Sequence, residues 1–172
     1  MELSLRRIEQ FFNSLDPAPF AERDLDAHAE SYLVSWAQEL PRDTPLELTL
    51  HLQEPPAGPD GWVEAAVQHN FAERERFQRI ELRRLLRQGR TSLMIGVTFL
   101  AVCLYLSQWL LRATSDGLVG GLMRESFTVA GWVAMWRPMQ TYLYDWWPMA
   151  AQIRLYRRMS QMPVRLVSGP IN

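Results

Sequence analysis

The side chains in this sequence able to do chemistry are few and scattered. Three histidines stand at His28, His51 and His69, and a lone cysteine at Cys103. The histidines have no metal-ligand spacing. Asp24, Asp26, His28 and Glu30 look like a ligand cluster in one dimension. Helical spacing spreads them around a cylinder, and capping and solvation then account for them. Cys103 sits among apolar neighbours, where a reactive thiolate is disfavoured, and being alone it excludes an internal disulfide. No phosphate loop, dinucleotide fingerprint or nucleophile elbow is present. The expectation is a non-enzyme with no catalytic residue, no metal and no cofactor.

Arg124 and Glu125 are the remaining chemical oddity, a charged pair inside an apolar stretch. Ionisable groups within a bilayer are costly and often functional. Two readings stand. Glu125 shares a helix face with Thr128 and Trp132 and can line an ion path or meet a partner's arginine; alternatively both charges sit at the headgroup level.

Charge distribution shows which elements must carry these residues. Residues 1–72 hold four Arg and thirteen acids, a net of −9. Residues 73–90 hold seven Arg and three Glu, residues 91–136 sum to zero, and residues 137–172 hold five Arg and one Asp. Every basic side chain is Arg. An acidic head followed by two basic stretches around a neutral apolar region is a membrane pattern and argues against a nucleic-acid partner.

Residues 91–111 are an uncharged run of 21, long enough as a helix to span the roughly 30 Å hydrocarbon core. A second span is expected over 119–138 after a short extracytoplasmic turn at 112–118, where Asp116 and Gly117 supply turn chemistry. Pro138 should end or kink that helix near Arg137. Trp132, Trp136, Tyr142, Tyr144, Trp146 and Trp147 form an interface belt at its far end. Ser92 and Gly96 in the first span, and Ser126, Ala130 and Ala134 in the second, repeat every four residues like helix-packing surfaces. They serve either the internal hairpin or contacts between copies. Arg87, Arg90, Arg137, Arg154, Arg157 and Arg158 are placed to contact lipid headgroups. Residues 149–162 read as a basic amphipathic helix at the bilayer surface. The arginine bias puts both termini in the cytoplasm, and residues 1–20 lack the pattern of a secretory signal.

In the head, residues 1–72, Asp24 or Asp26 caps a helix with the stripe Leu25, Ala29, Leu33, Trp36 and Leu40. A turn follows at Asp43, Thr44 and Pro45. Leu46, Leu48, Leu50 and Leu52 alternate with polar residues like a half-buried strand, and a Pro/Gly loop covers 53–61. A long helix starts near Trp62, passes through the basic segment 73–90 and can enter the first span unbroken. Leu3 and Leu5 alternate like a strand, whereas Ile8, Phe11, Phe12 and Leu15 fit a helix. The strand is favoured because one at 46–52 needs a partner. The aromatic and basic tail, 139–172, offers Val164, Leu166 and Val167 as a further strand that docks on the head.

Several segments carry a resemblance: NSLDPAPF at 13–20, ERDLD at 22–26, LPRD at 40–43, WRP at 136–138 and LYDWWP at 143–148. Together they resemble a family of uncharacterised bacterial two-transmembrane-helix membrane proteins. The resemblance implies a bacterial inner membrane and no activity. The fold class expected is thus an α+β membrane protein: a small cytoplasmic α/β head with two or three short strands, and a long helix running into a two-helix transmembrane hairpin. The expected role is a non-enzymatic assembly protein, partnered by the bilayer and by further copies or other membrane subunits. The alternative is a homo-oligomeric channel or transporter with Glu125 as a polar pore element.

Overall fold

Alternating leucines build a small sheet. In the computed structural model, which describes residues 1–14, 16–41, 44–54, 58–113 and 118–168, strand β1 spans Glu2–Leu5, β2 Leu48–Leu52 and β3 Val164–Ser168. All three are parallel, in the order β1-β2-β3. The register sets Leu3 beside Leu50 and Leu5 beside Leu52, with Leu48 beside Val164 and Leu50 beside Leu166. Period-2 geometry therefore gathers the apolar residues on one face, and Leu48, Leu50 and Leu52 are fully buried. The other face carries Glu2, Ser4, Thr49, His51 and Arg165. A parallel pair needs a crossover between its strands. Helix α1, Ala27–Glu39, lies in the first connection with two short 3-10 turns, and the other described helices lie in the second.

Asp26 caps α1, its carboxylate accepting from the N–H groups of His28 (2.9 Å) and Ala29 (3.4 Å). The buried stripe differs from expectation at one position. Leu33 and Ala37 are fully buried, while Trp36 is half-buried and meets Tyr32 edge to face. Residues 29, 33 and 37 keep a spacing of four, and the small Ala37 allows an approach that an indole would block.

Both readings of the N-terminus have a place. β1 takes Leu3 and Leu5, and Ile8–Gln10 forms a 3-10 turn that buries Ile8, with Phe11 and Phe12 buried next to it. Asp16 pins the following loop, accepting from the N–H groups of Ala18 (2.9 Å) and Asp24 (2.8 Å). These bonds hold its carboxyl below the ordinary carboxylate range. Leu15, Asp43 and part of the 53–61 loop lie outside the described residues, as do 114–117 of the expected 112–118 turn.

Helix α2, Trp62–Ala113, is one unbroken helix of 52 residues, which makes the structure mostly helical. It begins after Gly61, whose φ of +78° favours glycine. α3 spans Leu118–Gln140, a π-helical segment covers Thr141–Asp145, and α4 spans Trp146–Met159. Pro138 does not end its helix; it lies inside α3, buried. Proline removes the donor for the carbonyl four residues back, and the backbone widens to π geometry three residues later, a common way to absorb such a defect. The Thr141 hydroxyl donates to Arg137 O (3.3 Å) and the Trp146 indole N–H to Tyr142 O (2.8 Å).

The chain divides into two units, Met1–Arg79 with Ala151–Asn172, and Ile80–Ala150. The boundary thus falls within α2 and within α4, not at 72/73 or at the end of a helix. In the first unit, the head, Phe11, Leu33, Leu50, Val67, Phe71 and Met159 belong to one core. Residues 149–162 depart from expectation here. Met159 and Met162 are buried in the head core, with Leu155 and Tyr156 packed against it. The apolar stripe of α4 is therefore used inside the protein, where packing against a preformed core offers more than a lipid surface does.

Removing the α1 cap by Asp26→Ala should lower the head's unfolding free energy by about 1 kcal/mol. Chemical denaturation followed by Trp fluorescence measures it, and an unchanged midpoint would show that the cap carries no stability.

Candidate functional site

The second unit is built from two apolar helices, and its interior shows a seven-residue repeat. On α2, Gly89, Gly96 and Cys103 are buried at intervals of seven, and Ser107 is buried one turn beyond Cys103. Leu86, Leu93 and Leu100, half-buried, keep the same interval between them. On α3, Gly131 and Pro138 are buried, and half-buried Phe127 and Ala134 lead on to buried Thr141. A period of 3.5 residues keeps one seam facing a partner helix in left-handed packing.

The glycines mark the closest approach. A Cβ on Gly131 would stand 2.7 Å from Leu100 Cδ1 and 3.3 Å from Cys103 Cβ. One on Gly96 would stand 3.3 Å from the Ala134 carbonyl oxygen, and one on Gly89 2.9 Å from Thr141 Cγ2. Contacts at low numbers on α2 pair with high numbers on α3, so the two helices run antiparallel. Of the expected packing residues, Gly96 lies in this seam against Ala134, and Ser92 is half-buried. Ser126 and Ala130 are exposed. They lie on another face of α3, because a spacing of four drifts away from a seven-residue seam. Gly89, Cys103 and Gly131 were missed; the signal was the Leu86-Gly89, Leu93-Gly96, Leu100-Cys103 repeat, legible once a period of seven is tried.

The outside of this unit is apolar. Met94, Ile95, Tyr105 and Trp109 on α2 are exposed, as are Leu122, Val133, Trp136 and Trp147 on α3 and α4. Among the described residues, α2 is the helix long and apolar enough to cross a membrane. Only 17% of its most apolar window is buried in the protein. α3, interrupted by Arg124 and Glu125, does not reach that standard. Both charges are exposed. Of the expected belt, Trp132, Trp136, Tyr144 and Trp147 are exposed, while Tyr142 and Trp146 are half-buried.

The arginines sort into two groups. Some brace the head. Arg74 donates to Glu30 at 2.6 Å, which raises the guanidinium's pKa; Arg158 donates to Thr44 O at 2.6 Å and Pro41 O at 3.4 Å; Arg165 pairs with Glu47 at 2.6 Å. Tyr156, stacked on Phe71, has its phenol pushed up by burial. Arg87, Arg90, Arg137, Arg154 and Arg157 are exposed. Arg87 and Arg90, with Thr91, Leu93 and Met94, border a shallow hollow at the start of the apolar run. The arrangement offers cations beside exposed apolar side chains and, among the described residues, no assembled nucleophile and base.

No protein-family model, curated protein or solved structure matches this chain.

Gly131→Leu should lower the stability of the helix pair by about 1–3 kcal/mol, the usual cost of overpacking. Ala130→Leu, one residue away on the exposed side, should stay within about 0.5 kcal/mol. Thermal unfolding of the full chain in mild detergent compares them, and equal losses would rule out the seam.

Proposed function

We propose that the chain is a non-enzymatic integral membrane assembly protein. Residues 91–111 and 119–138 enter the bilayer as a two-helix transmembrane hairpin, and the head stands on the cytoplasmic side of a bacterial inner membrane. The observation that carries this reading is the exposed apolar surface of α2, whose spanning-length window is largely unburied. Contiguous apolar surface of this extent on a soluble monomer would be an association site or a liability.

Connectivity supports the two crossings. β3 is hydrogen-bonded to β2 in the head sheet, so a chain that leaves the head for a bilayer must return to the same aqueous side after an even number of passes. The antiparallel seam supplies the return. Exposed Arg87, Arg90, Arg154 and Arg157 flank the apolar unit in sequence, and positive charge favours the cytoplasmic side. The bacterial location is what the resemblance of the 13–20 and 143–148 segments implies.

Self-association or membership of a larger membrane complex follows from what the seam leaves over. Ser126 and Ala130 form a small-residue stripe on α3 that no internal packing uses, and such stripes let transmembrane helices approach closely. Washing membranes with alkaline carbonate should leave the chain in the pellet, and the protein extracted in mild detergent should carry a second copy or a companion subunit. Release by carbonate would overturn the membrane reading; a lone monomer would overturn the assembly reading.

A channel is the second reading, favoured by the exposure of Glu125, Thr128 and Trp132 on α3. It requires cation flux in liposomes that Glu125→Gln reduces several-fold. Flux indifferent to that substitution would remove Glu125 from any pore.

A further inference from the structure

We propose that a cavity in the head, between the C-terminal turn of α1 and α4, binds the phosphate-bearing headgroup of an anionic phospholipid, with Arg154 and Arg158 as its anion ligands. The cavity has a volume of about 470 Å³ and is bordered by Gln38 and Leu40 on one side and by Gln152, Arg154, Leu155 and Arg158 on the other. That is within the size range of small-molecule sites, about 300–1,000 Å³.

Its electrostatics run against the rest of the head. Residues 1–72 carry thirteen acids, yet among the described residues the lining contains two arginines and no carboxylate. Arg154 and Arg158 are four residues apart on α4 and so project from the same face. Arg158 is already oriented, because one of its guanidinium nitrogens is held by the Thr44 and Pro41 carbonyls. The planar fork retains further N–H donors, and a pre-oriented guanidinium loses less entropy on binding a phosphate. Arg154 is exposed, free to close on an anion. The carbonyl end of α1 forms part of the wall and disfavours negative charge, so a single arginine would be a weak site; two make it effective.

The remaining lining narrows the ligand class. Leu40, Leu155 and neighbouring alanines make the wall apolar, and the Gln38 and Gln152 amides add neutral hydrogen-bonding groups. Among the described residues no aromatic side chain borders the cavity, so none of them is placed to stack a nucleobase. A phosphate joined to a flexible apolar arm fits this combination better than a nucleotide. This assignment rests on the membrane reading above.

The test uses the purified full chain in neutral detergent, with thermal unfolding measured against dioctanoyl phosphatidylglycerol, dioctanoyl phosphatidylcholine or inorganic phosphate. The anionic lipid should raise the Tm in a saturable way and the other two should not. Arg154→Gln should weaken the apparent affinity about tenfold or more, as loss of a charged hydrogen bond does, while leaving the lipid-free Tm in place. Gln152→Trp, which fills the cavity without changing charge, should do the same. The pair Arg87→Gln and Arg90→Gln should leave the response intact. No response to the anionic lipid overturns the proposal, as does a response that survives both cavity variants or vanishes in the Arg87/Arg90 double variant. An equal response to the zwitterionic lipid would mean detergent-like binding, and an equal response to inorganic phosphate would assign the site to a soluble anion; either outcome also overturns it. Carbonate extraction reads the membrane assignment separately, so the two can fail independently.

Discussion

Hydrogen bonds between β2 and β3 join residues 48–52 to residues 164–168, and the placement of everything between them depends on that pairing. A central strand with parallel neighbours on both sides buries one leucine face and satisfies its backbone in both directions. Without β3, β2 would keep a single partner, and two-stranded sheets are marginal in water. The tail is therefore a structural part of the head. Met159 and Met162 in the core and Arg158 on the Thr44 carbonyl extend the same attachment. The closure entropy of the long intervening segment rises only slowly with its length, and the antiparallel helix pair reduces it further by turning the chain back.

That helix pair follows a different rule from the head. In the head, burial of Leu, Phe and Val against a core provides stability at about 25 cal/mol per Å² of apolar surface. In the second unit many large apolar residues lie outside, Met94, Ile95, Tyr105 and Val133 among them, so hydrophobicity alone does not decide which face of α2 meets α3. Shape decides instead. Gly89, Gly96 and Gly131 create hollows into which Thr141, the 134–138 turn and Leu100 fit, and larger residues elsewhere around each helix hold it apart.

The contrast explains what could be read in advance. The Leu46–Leu52 alternation, the cap at Asp26, the helix from Trp62 and the β-prone tail each carry local signals, and each has a counterpart in the fold. The parallel arrangement of the sheet had none, because strand direction depends on how the connections fold back. Trp36 and Ala37 both stand at helical spacing from Leu33, and the fold buries Ala37 while leaving Trp36 half-buried. In the apolar helices a period of four selected Ser126 and Ala130, whereas the seam follows seven. Pro138 was read by its local effect alone, and the tertiary context that accommodates it, a buried site followed by a π turn, is invisible in composition.

The exclusive use of arginine acquires a structural sense from these two environments. In the head, guanidinium groups reach backbone carbonyls and carboxylates across elements: Arg74 spans from α2 to α1, Arg165 reaches Glu47, and Arg158 gathers two carbonyls of one loop. A planar group with five donors can bridge in this way while a lysine ammonium offers a point charge. Beside the apolar unit the same side chain has a second property, weak hydration of its charge, which lowers the cost of lying against hydrocarbon with the head in water. Arg87 and Arg90 are positioned for that second use and Arg158 for the first. Arg154, exposed beside the braced Arg158 on one face of α4, stands where the two uses meet, with a fixed cation at its side and, among the described residues, no carboxylate lining the same cavity to neutralise it.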